Sequence, residues 1–222
     1  MTKRKITYQL ANWLLNYIFP VSCVGCAKNG EVLCAKCLSK IPLANITVDK
    51  DIYSVFSYKH PLIKQALWEL KFNNNKVAAR PLANALYDRI LEELQDLEIF
   101  NNFTQPLLIP IPLSKERLKE RGYNQSELLC KELSFMDSMS FTVCTNVLYK
   151  PIRTKQQTKT RGKSERINNL HGCFAVKNPE KIRNQNIILI DDIITTGTTI
   201  LEAKKVLKQN GAKKIIAFTV AH

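Results

Sequence analysis

The sequence lacks several features, and each absence excludes a class of protein. No apolar run approaches the roughly 18 residues of a membrane-spanning helix, so none is expected. No internal repeat marks a solenoid or propeller, and the chain as a whole is neither low-complexity nor compositionally disordered. Histidine is scarce: His60, His171 and His222 are the three, and none has a partner that would give it a role. Acids are outnumbered, with 19 Asp+Glu against 33 Lys+Arg and a net charge of +14. Such an excess favours a polyanionic partner, whether nucleic acid, a phosphorylated substrate or an anionic membrane, against simple solubility. What remains, 222 residues with 45% hydrophobic and 23% charged, is one globular domain with room for a small appendage.

A leader is not expected either. Lys3, Arg4 and Lys5 precede an apolar stretch, but Asn12 and Asn16 interrupt it and no small-x-small cleavage site follows. Ile6, Leu10, Trp13, Leu14, Tyr17 and Ile18 recur at helical spacing and predict an amphipathic helix ending before Pro20. Its expected place is against its own protein, with Trp13 and the basic start leaving a membrane surface open.

Seven cysteines are present, and four of them are crowded into Cys23, Cys26, Cys34 and Cys37. An odd total with one quartet points to metal binding in a reducing cytosol, not to a secreted disulfide framework. Two Cys-x2-Cys pairs can close a tetrahedron of thiolates around a structural zinc ion, and Gly25 lies where the first knuckle needs backbone freedom. A redox dithiol is the alternative, but no thioredoxin-like pattern accompanies it. Cys130, Cys144 and Cys173 sit in apolar surroundings and read as small core residues.

Further on, Ile52 to Tyr58 reads as a strand, and Pro61 to Phe72 as a helix broken by Asn73-Asn74-Asn75. A longer helix follows, from about Lys76 or Pro81 to Leu94. Leu107 to Ile111 is a buried strand emptying into a loop, Ser114 to Gly122, that carries Lys115, Arg117, Lys119 and Arg121. Tyr123 to Phe135 reads as a helix and Phe141 to Tyr149 as a further strand. Residues 150–170 hold seven Lys/Arg against one acid, with no apolar periodicity, and predict a long functional loop. Ile187 to Ile190 and Ile215 to Val220 are all-apolar strands flanking a helix from Thr198 to Gln209, which Asn210-Gly211 caps. Strand, helix and strand in this order make a parallel βαβ unit, so the expected fold is α/β with a parallel sheet.

The chemistry concentrates after Ile190. Asp191 and Asp192 end the strand, and Thr195, Thr196, Gly197, Thr198 and Thr199 lead into the helix. Backbone N–H groups at a helix start form an anion hole, threonine hydroxyls add donors, and glycine admits a close approach. Adjacent carboxylates suit vicinal ribose hydroxyls or a hydrated magnesium ion. Together these describe a ribose 5-phosphate site. No Gly-Lys pair follows the strand, which excludes a Walker A loop; a Walker B or receiver-type metal site and a bare helix cap remain alternatives.

This segment resembles the phosphoribosyl pyrophosphate (PRPP) signature of type I phosphoribosyltransferases, and the rest of the chain resembles the ComF family of competence-associated proteins. Four features carry the resemblance in order. They are an N-terminal helix with a four-cysteine finger, and Ile109-Pro110-Ile111-Pro112-Leu113 with Arg117 and Arg121-Gly122-Tyr123-Asn124-Gln125. Then come Arg153-Thr154 with Gln157, Arg166 and Asn169 before Gly172-Cys173-Phe174, and last the acid–threonine turn. The resemblance implies a type I phosphoribosyltransferase-like sheet over residues 46–222, behind an N-terminal helix and zinc finger over 1–45. It implies that Asp191 and Asp192 hold ribose hydroxyls, that Thr195 to Thr199 hold the 5-phosphate of Mg²⁺-bound PRPP, and that 150–170 is the loop that closes over the site. Arg117, Arg121, Arg153 and Arg166 are candidates for pyrophosphate or DNA. The implied role is cytoplasmic handling of single-stranded DNA with other DNA-uptake proteins, or alternatively phosphoribosyl transfer in nucleotide salvage or synthesis. No catalytic residue is assigned. Tyr123, Phe141 and Tyr149 are candidate stacking aromatics, each weighed against a place in the core.

Overall fold

The computed structural model describes residues 21–44, 46–73, 75–151 and 173–222. The predicted N-terminal helix, Arg153, Gln157, Arg166, and all but the first two residues of the basic stretch lie outside them.

The elements run in the order α1 (Ala35–Leu38), β1 (Ile46–Asp49), β2 (Ile52–Phe56), α2 (Pro61–Phe72), a 3-10 turn (Lys76–Ala78), α3 (Ala79–Asn101), β3 (Leu107–Pro110), α4 (Lys115–Arg121) and α5 (Gln125–Met136). They continue with β4 (Thr142–Val143), β5 (Leu148–Tyr149), β6 (Ala175–Val176), a 3-10 turn (Pro179–Lys181), β7 (Asn186–Ile193), α6 (Thr198–Gln209) and β8 (Lys214–Ala221). The main sheet has six strands in the order β1-β2-β8-β7-β3-β4, and β5 and β6 form a separate antiparallel pair. Every neighbouring pair from β2 to β4 is parallel; only β1 joins antiparallel. The expected α/β parallel sheet is therefore present.

Successive side chains of a strand point to opposite faces, so a strand covered on both sides must be apolar throughout. Strand β7 shows this: Ile188 and Ile190 enter one core while Ile187 and Leu189 enter the other. The first core includes Leu67 and Leu70 of α2, Leu82 and Leu86 of α3, and Leu129 and Leu133 of α5. The second includes Ile200, Ala203 and Leu207 of α6. Cys23, Val32, Leu33, Cys34, Cys37 and Ile41 belong to the first core, together with Val55, Phe56 and Leu67. The cysteine segment thus rests on the same apolar mass as the sheet.

Several boundaries differ from the sequence reading, each for a local reason. Residues 115–121 form a helix, not a loop. Ser114 Oγ accepts from the Arg117 N–H at 3.3 Å, Gly122 ends the helix in the left-handed region at φ +76°, and no residue of the helix is buried. A helix held by its caps alone shows no apolar period. Phe141 to Tyr149 divides into β4 and β5, which join different sheets across a bend at Asn146. Strand β7 runs on to Ile193, because β8 keeps pairing with it as far as Ile193 opposite Ala221. Of the three scattered cysteines, Cys130 is fully buried, while Cys144 and Cys173 are half-buried against the second core.

Candidate functional site

Asp191 and Asp192 lie in the last turn of pleat of β7, at the C-terminal edge of the sheet. The pleat sends them to opposite sides. Asp192, buried, meets Lys71 from the last turn of α2, with Nζ 3.1 Å from its Oδ2. Asp191, half-buried, accepts from Ser126 Oγ at 2.9 Å and from the Asp192 backbone N–H at 2.9 Å, both at Oδ1. Loss of water around its carboxyl, and then the neighbouring Asp192 carboxylate, push Asp191 up to about 7; the Ser126 bond and Lys71 oppose that shift. Lys71 and Ser126 are the two site residues the sequence did not reveal. Each is brought in by tertiary packing and stands in no recognisable spacing to the acids.

Ser126 is placed by the α4–α5 junction. Gly122 turns the chain through the left-handed region, and Tyr123 buries its ring and donates its Oη to the Leu70 carbonyl at 2.6 Å. Asn124 then caps α5: its Oδ1 accepts from the Ser126 N–H at 3.1 Å, while its Nδ2 donates to the Ile111 carbonyl at 3.0 Å. The run Tyr123 to Ser126 therefore ties α2, the segment leaving β3 and β7 together. Of the expected cations, Arg117 lies exposed on α4, whereas the Arg121 guanidinium lies 5.1 Å over the Phe72 ring and donates to Gln125 Oε1 at 3.1 Å. Lys150 stands within electrostatic reach of Asp191 and Arg117. Burial holds its ammonium below the ordinary lysine range, and Arg117 pushes it the same way.

Beyond the acids, residues 195–197 form a bend. Gly197 occupies the cap position of α6 at φ +75°, where no side chain caps the helix. Thr195 and Thr196 are exposed, Thr198 and Thr199 half-buried, and the Thr196 and Thr198 hydroxyls lie 2.8 Å apart. The first N–H groups of α6 and several hydroxyls are thereby gathered at one helix end, an arrangement that binds anions.

The second constellation is the cysteine knuckle. The sulfurs of Cys23, Cys26, Cys34 and Cys37 all lie within 4.8 Å of one another and can hold a metal ion. Cys26 and Cys34 are 3.7 Å apart; sulfurs bound about 2.3 Å from one tetrahedral ion lie roughly 3.8 Å apart. The backbone N–H groups of Gly25 and Cys34 both point at Cys23 Sγ, at 3.4 Å. Burial alone raises the Cys23 thiol, but the N–H groups of Cys34, Gly25 and Cys26 outweigh it and bring it to about 6. Cys37 goes the other way: burial and the neighbouring sulfurs push it up to about 12. Gly25 is required by space, since a Cβ there would stand 2.8 Å from Cys37 Sγ and 3.1 Å from Cys37 Cβ. The donor set, crowded and thiol-only, fits a soft or borderline metal.

Of the expected stacking aromatics, Phe141 and Tyr123 are buried, and Tyr149 is half-buried beneath Lys177, whose Nζ lies 4.8 Å from its ring. Among the described residues, no helix is long and apolar enough to cross a membrane.

Comparison with known proteins agrees with this architecture. Residues 127–222, from α5 through β8, match the phosphoribosyl transferase domain family. The chain is thus a phosphoribosyltransferase-like α/β protein carrying a four-cysteine cluster. DNA utilization protein YhgH of Salmonella typhi is 28% identical over 185 residues, covering 82% of this chain and 74% of that protein. Competence protein F of Haemophilus influenzae is 28% identical over 191 residues, covering 85% and 77%. Competence protein ComFC of Bacillus subtilis is 31% identical over 168 residues, covering 75% and 62%. These matches support the resemblance to the ComF family read from the sequence.

Proposed function

We propose that the chain binds PRPP at the C-terminal edge of β7 and acts on single-stranded DNA during DNA uptake in the cytoplasm. The observation that carries the first part is the β7–α6 turn. Two carboxylates leave a buried strand and are followed by an uncapped helix N-terminus rich in hydroxyls. Phosphate suits the N-terminus of α6, with Thr195, Thr196, Gly197, Thr198 and Thr199 around it. Ribose hydroxyls suit the acids. Ser126 and Lys71 occupy Asp191 Oδ1 and Asp192 Oδ2, leaving the other oxygen of each as an acceptor. With both acids tied to protein donors, Mg²⁺ is best carried by the ligand's own pyrophosphate oxygens, and Lys150, within electrostatic reach of Asp191 and of Arg117, is the cation placed to offset their negative charge. The DNA part rests on the net charge of +14 and on what the relatives' names state: DNA utilization and competence.

Zinc is the metal proposed for Cys23, Cys26, Cys34 and Cys37, because four thiolates close a tetrahedron and leave no open position for catalysis. Residues 1–45 then form a metal-bearing module on a phosphoribosyltransferase-like domain of 46–222. No catalytic residue is proposed. Phosphoribosyl transfer would require pyrophosphate release with a defined nitrogen acceptor, which a coupled pyrophosphate assay reads directly.

Calorimetric titration of Mg·PRPP into metal-loaded protein tests the binding site. Saturable binding is expected, weakened at least about tenfold by Asp191→Asn/Asp192→Asn, since hydrogen bonds to charged groups contribute roughly 1.5–3 kcal/mol each. Equal affinity in a folded double variant would refute the assignment.

A further inference from the structure

A cavity of about 500 Å³ opens where the end of α2 meets the α4–α5 junction, lined by Lys71, Phe72, Lys76, Lys119, Arg121 and Tyr123. It is a built feature, because the buried Tyr123–Leu70 hydrogen bond clamps its two walls together. Its charge is lopsided, with four cations and a single acid, Glu120. Arg121 Nε, on the cavity wall, and Gln125 Nε2, on the side chain behind it that accepts from Arg121, are buried with no acceptor among the described residues. Both orphans are N–H groups, so what they lack is an acceptor such as a phosphate oxygen.

The rim is aromatic. Trp68 and Phe72, one helical turn apart on α2, are 50% and 53% exposed, with ring centroids 6.0 Å apart. Neither ring belongs to either core, and Phe72 already carries the Arg121 guanidinium 5.1 Å from its ring on one side, leaving about half of it exposed beside Trp68. Flat rings beside a groove of Lys and Arg are what unpaired bases and their phosphates require. A duplex offers its phosphates but keeps its base faces stacked inside, so the rings would go unused.

We propose that this face is the track for single-stranded nucleic acid: bases stack on Trp68 and Phe72, and backbone phosphate enters the cavity of Lys76, Lys119 and Arg121. The proposal rests on the reading of single-stranded DNA as a partner and locates it. Lys71 belongs to the cavity and also to the Asp192 ion pair, so the strand passes within one side chain of the acid pair.

The test uses the full metal-loaded chain and an oligothymidylate of roughly 20 nucleotides, longer than common single-strand sites of ~4–16. The only tryptophans are Trp13 and Trp68, so a Trp13→Phe background makes the emission report on Trp68 alone. The oligonucleotide is expected to quench that emission. In fluorescence anisotropy, Trp68→Ala/Phe72→Ala should weaken binding about tenfold or more, and Trp68→Phe should restore most of it. Lys76→Gln/Lys119→Gln should flatten the salt dependence by about 0.7 per lost phosphate contact. Thermal melts check that these surface variants fold. Binding that is unchanged in the aromatic variant, with no quenching, would overturn the location while leaving the DNA reading intact. No binding by the wild type would overturn both. Binding of a polyglutamate peptide at this face in preference to the oligonucleotide would make it a protein-docking surface and overturn the proposal.

Discussion

In the cysteine knuckle, every candidate ligand atom comes from residues 23–37, whereas the acid–threonine turn draws on α2, α5 and β7. The knuckle brings four sulfurs together through short loops, and three of its cysteines, Cys23, Cys34 and Cys37, are buried in the first core. The turn instead stays open at the sheet edge, and its acids are held by Lys71, more than a hundred residues away, and by Ser126. Local spacing can build a closed metal site, but an open ligand site needs the whole fold to aim it. The first should therefore be essential to stability and the second to binding.

The largest expected effect breaks the knuckle. Its cysteines share a core with Val55, Phe56 and Leu67, so losing the ion should loosen more than a loop. Chelation of the loaded protein, or Cys37→Ser, is expected to lower Tm by roughly 10 °C or more, as metal binding in such sites is folding free energy. Calorimetric scans before and after zinc is restored measure it. An unchanged Tm would separate the knuckle from the fold.

A smaller effect is expected at the turn. Lys71→Met strands the buried Asp192 carboxylate and should cost about 1–3 kcal/mol in urea melts. Asp192→Asn in that background should recover part of the loss, because the charge left unpaired is gone. Strict additivity of the two substitutions would show that the ion pair contributes nothing.

The smallest effect is a pH dependence. Asp191 binds its proton more tightly in the folded chain, at about 7 against the usual 3.8. The folded state then holds more protons than the unfolded between about pH 4 and 7, and stability falls as pH rises through that window. Asp191→Asn should match the wild type near pH 4 and melt higher above about pH 7. A Tm difference independent of pH would contradict this.

The same contrast governs what could be read without coordinates. Helices α2 and α6 match their expected spans because their ends are written locally, by Pro61 and Asn73 in one and by Gly197 and Asn210 in the other. The cysteine quartet was legible for the same reason, since its spacing is its geometry. Helix α4 was not, because caps and not an apolar stripe hold it. Strand β1 went unread because an antiparallel edge strand is specified by its pairing with β2. Lys71 looked like any solvent-facing lysine, and Ser126 like a helix residue, until packing set each against a carboxylate. Trp68 and Phe72 passed as ordinary members of an amphipathic helix, and only their exposure distinguishes them.

The claim on which the account depends is that phosphate and ribose are held at the β7–α6 turn. Hydrogen–deuterium exchange of the metal-loaded chain, with and without saturating Mg·PRPP, addresses it directly. The account predicts slowed exchange of the amides from Asp192 to Leu201, lost in Asp191→Asn/Asp192→Asn. Slowed exchange elsewhere with this turn unaffected, or no change on adding PRPP, would contradict it.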